Sequence, residues 1–213
     1  MIGIIVAAGK GTRIKNPVKS MLVYKGKRLI AYPLEVMKKS RISRVIIIQH
    51  GNLIEKAFGT FYKGMSLEYV QQKQRRGIAH AIGLTKEKVG KEDVCVILGD
   101  IVYSGNLLKM KSCHRECTVG FQSIKDRELI KKSFGVTKKG DFIEKPKKTE
   151  NLKSLLGLGI YMFNSSIFDC IKKTKPGINN ETQITDTLNQ FNKVKISKLP
   201  GKYINVNEME DLE

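Results

Sequence analysis

No apolar run in the chain is long enough to cross a bilayer, and the apolar start, Ile2 to Ala8, leads into a glycine loop rather than a cleavage-type tail. The expectation is a protein with neither a membrane span nor a signal peptide. Cys95, Cys113, Cys117 and Cys170 form no framework of paired spacings, and Cys95 lies inside an apolar run, which points to reduced thiols in a cytoplasm. In "CHREC", Cys113, His114 and Cys117 are three potential zinc ligands without an evident fourth. Their spacing matches no usual zinc site, so they are read as structural. Acidic residues are scarce: 20 Asp and Glu face 39 Lys and Arg, a net charge of +19. Such an excess invites a nucleic-acid reading. Yet Lys38, Lys39, Lys86, Lys88, Lys172 and Lys173 are scattered over expected helix ends and loops, aromatics are only 7%, and no helix-turn-helix or zinc-finger spacing occurs. The charge is therefore read as a basic surface that draws in anionic substrates, with neither nucleic acid nor membrane as partner. No internal repeat, no low-complexity tract and no nucleophile with an adjacent base is found.

What is present is enough apolar sequence, 41% of 213 residues, for one domain over 1–213. Strand-like runs alternate with helical patterns. "IGIIVAA" precedes the amphipathic "LIAYPLEVMKKS", then "RVIIIQH" precedes "LIEKAFGTFYK", expected as a helix with Leu53, Ile54, Ala57 and Phe61 on one side. "LEYVQQ", the helical "GIAHAIGLTKEKV" and "DVCVILGD" continue the alternation. This is the signature of βαβ units and an α/β fold: a mostly parallel sheet with helices on both faces. After about residue 115 the pattern changes. "CTVGFQS", "FGVTKKGDFIEKP" and "LLGLGIYMFN" read as a mixed or antiparallel extension with a turn at Gly140; "ITDTLNQF" is helical, and "VKISKLP" and "KYINV" close as strands. The lysine-rich "EKPKKTENLK" is the candidate mobile loop.

In such a sheet, ligands bind outside the carboxyl ends of the strands, and the unusual polar residues fall there. The loop "AAGKGTR" fails as a P-loop, because no glycine stands five residues before the Gly9 that precedes Lys10, and fails as a dinucleotide fingerprint, because Ile14 replaces the third glycine. It still offers backbone N–H groups with Lys10, Arg13 and Lys19, donors suited to a polyphosphate. Asp100 ends an apolar strand beside that loop. A carboxylate facing polyphosphate implies an intervening Mg²⁺ completed by phosphates and water; helix capping is the alternative. Gln72 carries both donor and acceptor groups and Gly77 allows close approach, a pair able to read a nucleobase edge, with surface solvation as the alternative. His80 is read as a helix-face residue rather than a base.

"AAGKGTR" followed by Lys19, then "QKQRRGIAHA", "LGD", "FGV", "EKP", "GLGIYMF" and "INVNEMEDLE", resembles the sugar-1-phosphate nucleotidyltransferases over essentially the whole chain. The resemblance implies a Rossmann-like nucleotidyltransferase fold with a nucleotide-binding half, 1–115, and a sugar-phosphate-binding half, 116–213. It implies that the loop Ala7, Ala8, Gly9, Lys10, Gly11, Thr12 and Arg13 wraps a nucleoside triphosphate, and that Gln72, Gly77 and Ile78 contact a pyrimidine. Gly135, Glu144, Lys145 and Gly159 correspond to sugar-phosphate contacts, Asp100 and Asn205 to metal ligands, and Arg13, Lys19 and Lys145 to the catalytic cations.

The implied reaction joins UTP or dTTP to a sugar 1-phosphate with Mg²⁺, giving a nucleotide sugar and pyrophosphate. Ile78 stands where uridylyltransferases have threonine and thymidylyltransferases leucine, which leaves the base open. Gly157 stands where enzymes for N-acetylglucosamine 1-phosphate carry asparagine, which tilts the acceptor toward glucose 1-phosphate. The sequence ends on "NEMEDLE", so no fused acetyltransferase is expected. The short spacing from Arg13 to Lys19 keeps open a cytidylyltransferase for an alditol, choline or methylerythritol phosphate, and a non-catalytic nucleotide-sensing subunit is the alternative from another class. Oligomeric state is left open, a homodimer being one option.

Overall fold

β-branched and aliphatic runs supply the strands of the computed structural model, which describes residues 1–9, 18–177, 180–206 and 209–212. In chain order the strands are β1 (Ile2–Val6), β2 (Val23–Tyr24), β3 (Lys27–Arg28), β4 (Arg44–Gln49), β5 (Phe61–Tyr62), β6 (Met65–Gln71) and β7 (Val94–Leu98). There follow β8 (Ile101–Tyr103), β9 (Cys117–Ser123), β10 (Phe134–Val136), β11 (Phe142–Glu144), β12 (Leu155–Phe163), β13 (Lys195–Lys198) and β14 (Tyr203–Asn205). The helices are α1 (Ala31–Lys39), α2 (Leu53–Phe58), α3 (Ile78–Gly83), α4 (Lys86–Val89), α5 (Leu108–Ser112), α6 (Ile167–Lys173) and α7 (Ile184–Leu188).

Eight strands form one sheet in the order β13-β9-β12-β7-β1-β4-β6-β5. β7, β1, β4 and β6 are parallel, whereas β12 runs antiparallel to both β7 and β9 and extends the sheet beyond the parallel core. The mixed, mostly parallel α/β fold expected from the alternation is the fold observed. β4 shows why the central runs are continuously apolar: Val45, Ile46, Ile47 and Ile48 are all fully buried because helices cover both faces. One face packs α1 and α5 through Leu34, Met37 and Met110; the other packs α3, α6 and α7 through Ile82, Phe168 and Leu188. Each such side chain contributes about 1.5–3 kcal/mol relative to exposure.

Two local expectations are corrected. The helix expected over "LIEKAFGTFYK" ends at Phe58, and Phe61–Tyr62 instead pairs antiparallel with β6. Lys63 and Gly64 both have positive φ, 46° and 86°, as a two-residue turn with mirror-image geometry requires, so local turn chemistry overrides the helical spacing. Only Ile54 of the expected apolar side is buried; Phe61 is 68% exposed. The helix over "GIAHAIGLTKEKV" is divided into α3 and α4. The segment after Glu144 is tied to the hairpin β10–β11 by Lys138 N–H to Asn151 O, at 2.9 Å, and Lys153 N–H to Val136 O, at 2.8 Å. These bonds anchor the far end of the segment to the hairpin.

Candidate active site

The sheet places β1 between β4 and β7, and the chain leaves β1 toward one side and later returns on the other. That makes the carboxyl ends of β1 and β7 a topological switch point, where a crevice opens. Ala7 is held there by its N–H to Ile48 O at 2.8 Å, and Gly99 by its N–H to Val6 O at 2.9 Å. Gly9 is exposed at the mouth, and Lys10, Gly11, Thr12 and Arg13 lie outside the described residues.

Asp100 follows Gly99 directly and is half-buried. Val206 N–H donates to Asp100 O at 3.2 Å, and β14 pairs antiparallel with β8 in the register Asn205 to Ile101. Asp100 and Asn205, 105 positions apart in sequence, thus share one wall. Lys19, on a 3-10 turn, donates from Nζ to Asp100 Oδ2 at 2.6 Å. Side-chain exposures of 16% and 27% put this pair in partial shelter, where an ammonium–carboxylate bond is stronger than at an open surface.

Opposite stands the hairpin β10–β11. A cavity of about 170 Å³ is lined by Ile78, Asp100, Glu144, Lys145, Gly159, Tyr161, Tyr203 and Asn205 among others. A second, of about 620 Å³, shares Ile78, Glu144 and Lys145 and adds Gly77, Glu181, Gln183 and Asp186. Burial pushes the Glu144 carboxyl up to about 7; Lys145 opposes the shift, and the negative Asp186 and Glu181 add to it. Among the described residues the Tyr203 hydroxyl is buried without a hydrogen-bond partner, and burial together with Asp100 raises its pKa.

The site residues expected from sequence thus divide. Ile78, Asp100, Glu144, Lys145, Gly159 and Asn205 converge on one cavity, with Lys19 reaching it through Asp100. Gln72 and Gly77 meet each other at the end of β6, the Gln72 Nε2 donating to Gly77 O at 3.1 Å. Ala8 is 2% exposed and packs in the core. Gly135 is in β10 next to the cavity-lining Phe134, but a Cβ there would lie 2.7 Å from Ile130 Cγ2, so its position is explained by packing. Gly157 has a physical cause too: the Phe134 ring sits 2.3 Å from where its Cβ would be.

Tyr161, Tyr203, Lys132, Ser133 and Phe134 were not singled out, yet all line the cavity. A signal exists for two of them. Strand alternation puts Tyr161 on the face of Gly159 and Tyr203 on the face of Asn205, two residues apart in each case. Tyr161 also stacks between Phe134 and Phe163, with centroids 5.8 Å away on either side.

A doubly wound sheet with a crevice at its switch point defines an α/β protein that binds its ligand outside the carboxyl ends of the strands. The chain matches the model of the nucleotidyl transferase family over residues 2–199 and belongs to that family. It is 28% identical over 216 residues to the bifunctional protein GlmU of Methanococcus maripaludis, covering 96% of this chain and 50% of that protein. The chain spans about half the length of the GlmU relatives it matches. A provisionally named UTP–glucose-1-phosphate uridylyltransferase of Methanocaldococcus jannaschii is 28% identical over 226 residues, covering 87% of this chain and 80% of that protein. A crystal structure of UDP-glucose pyrophosphorylase complexed with UDP-glucose has a TM-score of 0.87 at 26% identity, covering 99% of this chain and 95% of that one. These matches bear out the family resemblance carried by the motifs. No helix among the described residues is long and apolar enough to cross a membrane.

Proposed function

We propose that the protein transfers a nucleotidyl group from UTP or dTTP to a sugar 1-phosphate, glucose 1-phosphate being the first candidate. The observation that carries this reading is the convergence of Asp100 and Asn205 from one wall with Glu144, Lys145 and Gly159 from the other on a single crevice. Residues 1–115 then form the nucleotide half and 116–213 the sugar-phosphate half. Relatives named for UTP–glucose-1-phosphate and UDP-glucose support the choice of substrate class.

The chemistry follows from charge. A phosphate oxygen of the sugar 1-phosphate is already ionised at neutral pH and attacks the α-phosphorus; a P–O bond forms there as the bond to the bridging oxygen breaks. The electron pair leaves with pyrophosphate, and no general base is required. Repulsion between the anions is the obstacle: unit charges ~4 Å apart repel by about 4 kcal/mol at an effective dielectric near 20. Lys145 at the cavity wall would offset the acceptor phosphate. Lys19 and, on the resemblance, Arg13 would offset the triphosphate. Glu144 offers an acceptor to the sugar hydroxyls. Positioning for in-line displacement supplies the remainder.

Asp100 and Asn205 fit a divalent cation. Their donors are a carboxylate and an amide oxygen, and the carboxylate already seats a cation, the Lys19 ammonium at 2.6 Å. Few protein oxygens, with phosphates and water completing the shell, is the pattern of Mg²⁺. Mg²⁺ would supply charge neutralisation of the triphosphate oxygens. A matrix of UTP, dTTP and CTP against sugar 1-phosphates, scored by pyrophosphate release with and without Mg²⁺, tests the proposal. Release with UTP or dTTP and glucose 1-phosphate is expected, with Arg13→Ala lower by a factor on the order of 10²–10³. Nucleotide binding without release under any pair would favour a sensing subunit instead.

A further inference from the structure

The hairpin β10–β11, which brings Glu144 and Lys145 to the cavity, is a two-stranded sheet of its own and, among the described residues, pairs with no strand of the eight-stranded sheet. Its place must be set by other contacts. β10 occupies one edge of β11: Lys145 N–H donates to Ser133 O at 2.7 Å and Thr137 N–H to Asp141 O at 2.8 Å. Backbone groups of successive residues in an antiparallel strand alternate between the two edges, so Phe142 turns its N–H and C=O away from β10. There one side chain meets both. Phe142 N–H donates to Asn189 Oδ1 at 2.8 Å, and Asn189 Nδ2 donates to Phe142 O at 3.0 Å. A neighbouring strand would make the same pair of bonds, and the amide has one permitted orientation because a C=O only accepts and an N–H only donates.

Both ends of this contact are anchored. Asn189 follows α7, whose Ile184 and Leu188 are fully buried, and its own N–H donates to Thr185 O at 3.2 Å. The Phe142 side chain is buried and packs on Phe121, with ring centroids 6.3 Å apart. Phe142 and Glu144, two residues apart, project from the same face of β11. Holding Phe142 by ring and by backbone therefore sets where the Glu144 side chain starts, and the contact belongs wholly to residues 116–213.

Resting on the nucleotidyl-transfer reading above, we infer that Asn189 is a positioning residue: its side-chain amide acts as a one-residue strand partner for β11 and so holds Glu144 and Lys145 at the acceptor cavity. Without it the outer edge of β11 is unpaired at Phe142, and the hairpin is free to shift relative to the sheet that carries Asp100. The loss falls on the acceptor, which Glu144 and Lys145 contact, and not on the nucleotide.

Kinetics of pyrophosphate release, with UTP and glucose 1-phosphate varied in turn, separate the two; where another sugar 1-phosphate is the better acceptor, it is varied instead. Asn189→Leu keeps the shape of the side chain and removes both bonds. Asn189 stands at the surface, where water replaces part of what is lost, so the KM for glucose 1-phosphate should rise about tenfold while that for UTP changes by less than about twofold. Asn189→Asp keeps the acceptor for Phe142 N–H but sets a carboxylate oxygen against Phe142 O, and should raise the acceptor KM at least as much. Amide hydrogen exchange on the nucleotide-free protein reads the clamp without turnover. Phe142 N–H should be protected in the wild type and exchange at least about tenfold faster in Asn189→Leu, with Lys145 N–H, bonded within the hairpin, unchanged. Free exchange of Phe142 N–H in the wild type overturns the inference even where a variant fails to fold. An unchanged acceptor KM in folded Asn189→Leu, or an equal rise in both KM values, overturns it too. A wild-type protein that binds no UTP and releases no pyrophosphate from any pair overturns the nucleotidyl-transfer reading itself, and this inference with it.

Discussion

Replacing Glu144 by glutamine should stabilise the protein above neutral pH while weakening its hold on the acceptor sugar. Glu144 sits at the seam of the two cavities, and burial, Asp186 and Glu181 together raise its carboxyl from 4.5 to about 7 against the pull of Lys145. Its folded pKa lies above the unfolded one, so between about pH 4.5 and 7 the folded protein binds the extra proton. Stability therefore falls as pH rises through that window. At about 1.4 kcal/mol per pH unit, the penalty reaches roughly 3 kcal/mol by pH 8. Glutamine cannot ionise, but its buried amide returns about 1 kcal/mol of that as an unpaired donor. The net gain at pH 8 is about 2 kcal/mol, or roughly 4–8 °C in Tm for a chain of this size. Urea unfolding of wild type and Glu144→Gln at pH 5 and pH 8 measures it, with the KM for glucose 1-phosphate as the functional readout. A stability difference that is the same at both pH values would refute the reasoning, because only an ionising Glu144 makes it pH-dependent.

Lys19→Met leaves Asp100 without its ammonium partner, so the nucleotide-free protein should bind Mn²⁺ several-fold more tightly in an electron-spin titration; unchanged affinity would separate Lys19 from the cation position. Gly77→Ala forces a Cβ to 2.5 Å from Thr182 O at a φ of +92° and should cost at least about 2 kcal/mol in thermal unfolding. Gly157→Asn should not confer use of N-acetylglucosamine 1-phosphate, because the Phe134 ring fills the space 2.3 Å from that Cβ position. A loss on the order of 3 kcal/mol is expected instead, and an active, undiminished variant would show that Phe134 yields.

Much of the scaffold was legible in one dimension. The runs "IGIIV", "VIII" and "VCVIL" are apolar at every position because both faces of β1, β4 and β7 are covered, and the loop glycine Gly9 and the carboxylate of Asp100 had to emerge past the strand ends. The hairpin of Phe61–Tyr62 was missed because apolar spacing imitated a helix across a Lys-Gly turn. Gly135 carried the right motif, but its tight neighbour, Ile130, is a packing partner.

The sequence by itself determined the fold class, the family and the side of the sheet on which the site lies, because periodicity records which faces meet water and strand ends follow from where the apolar runs stop. Tertiary structure alone decided the states of the site residues. Lys19 meets Asp100 across 81 positions, Glu144 is raised by burial with carboxylates from another segment adding to it, and Gln72 loses its donors to Gly77 and His80. Hydrogen bonds and desolvation depend on distances of about 3 Å between groups that strand order brings together, and no spacing along the chain encodes those distances.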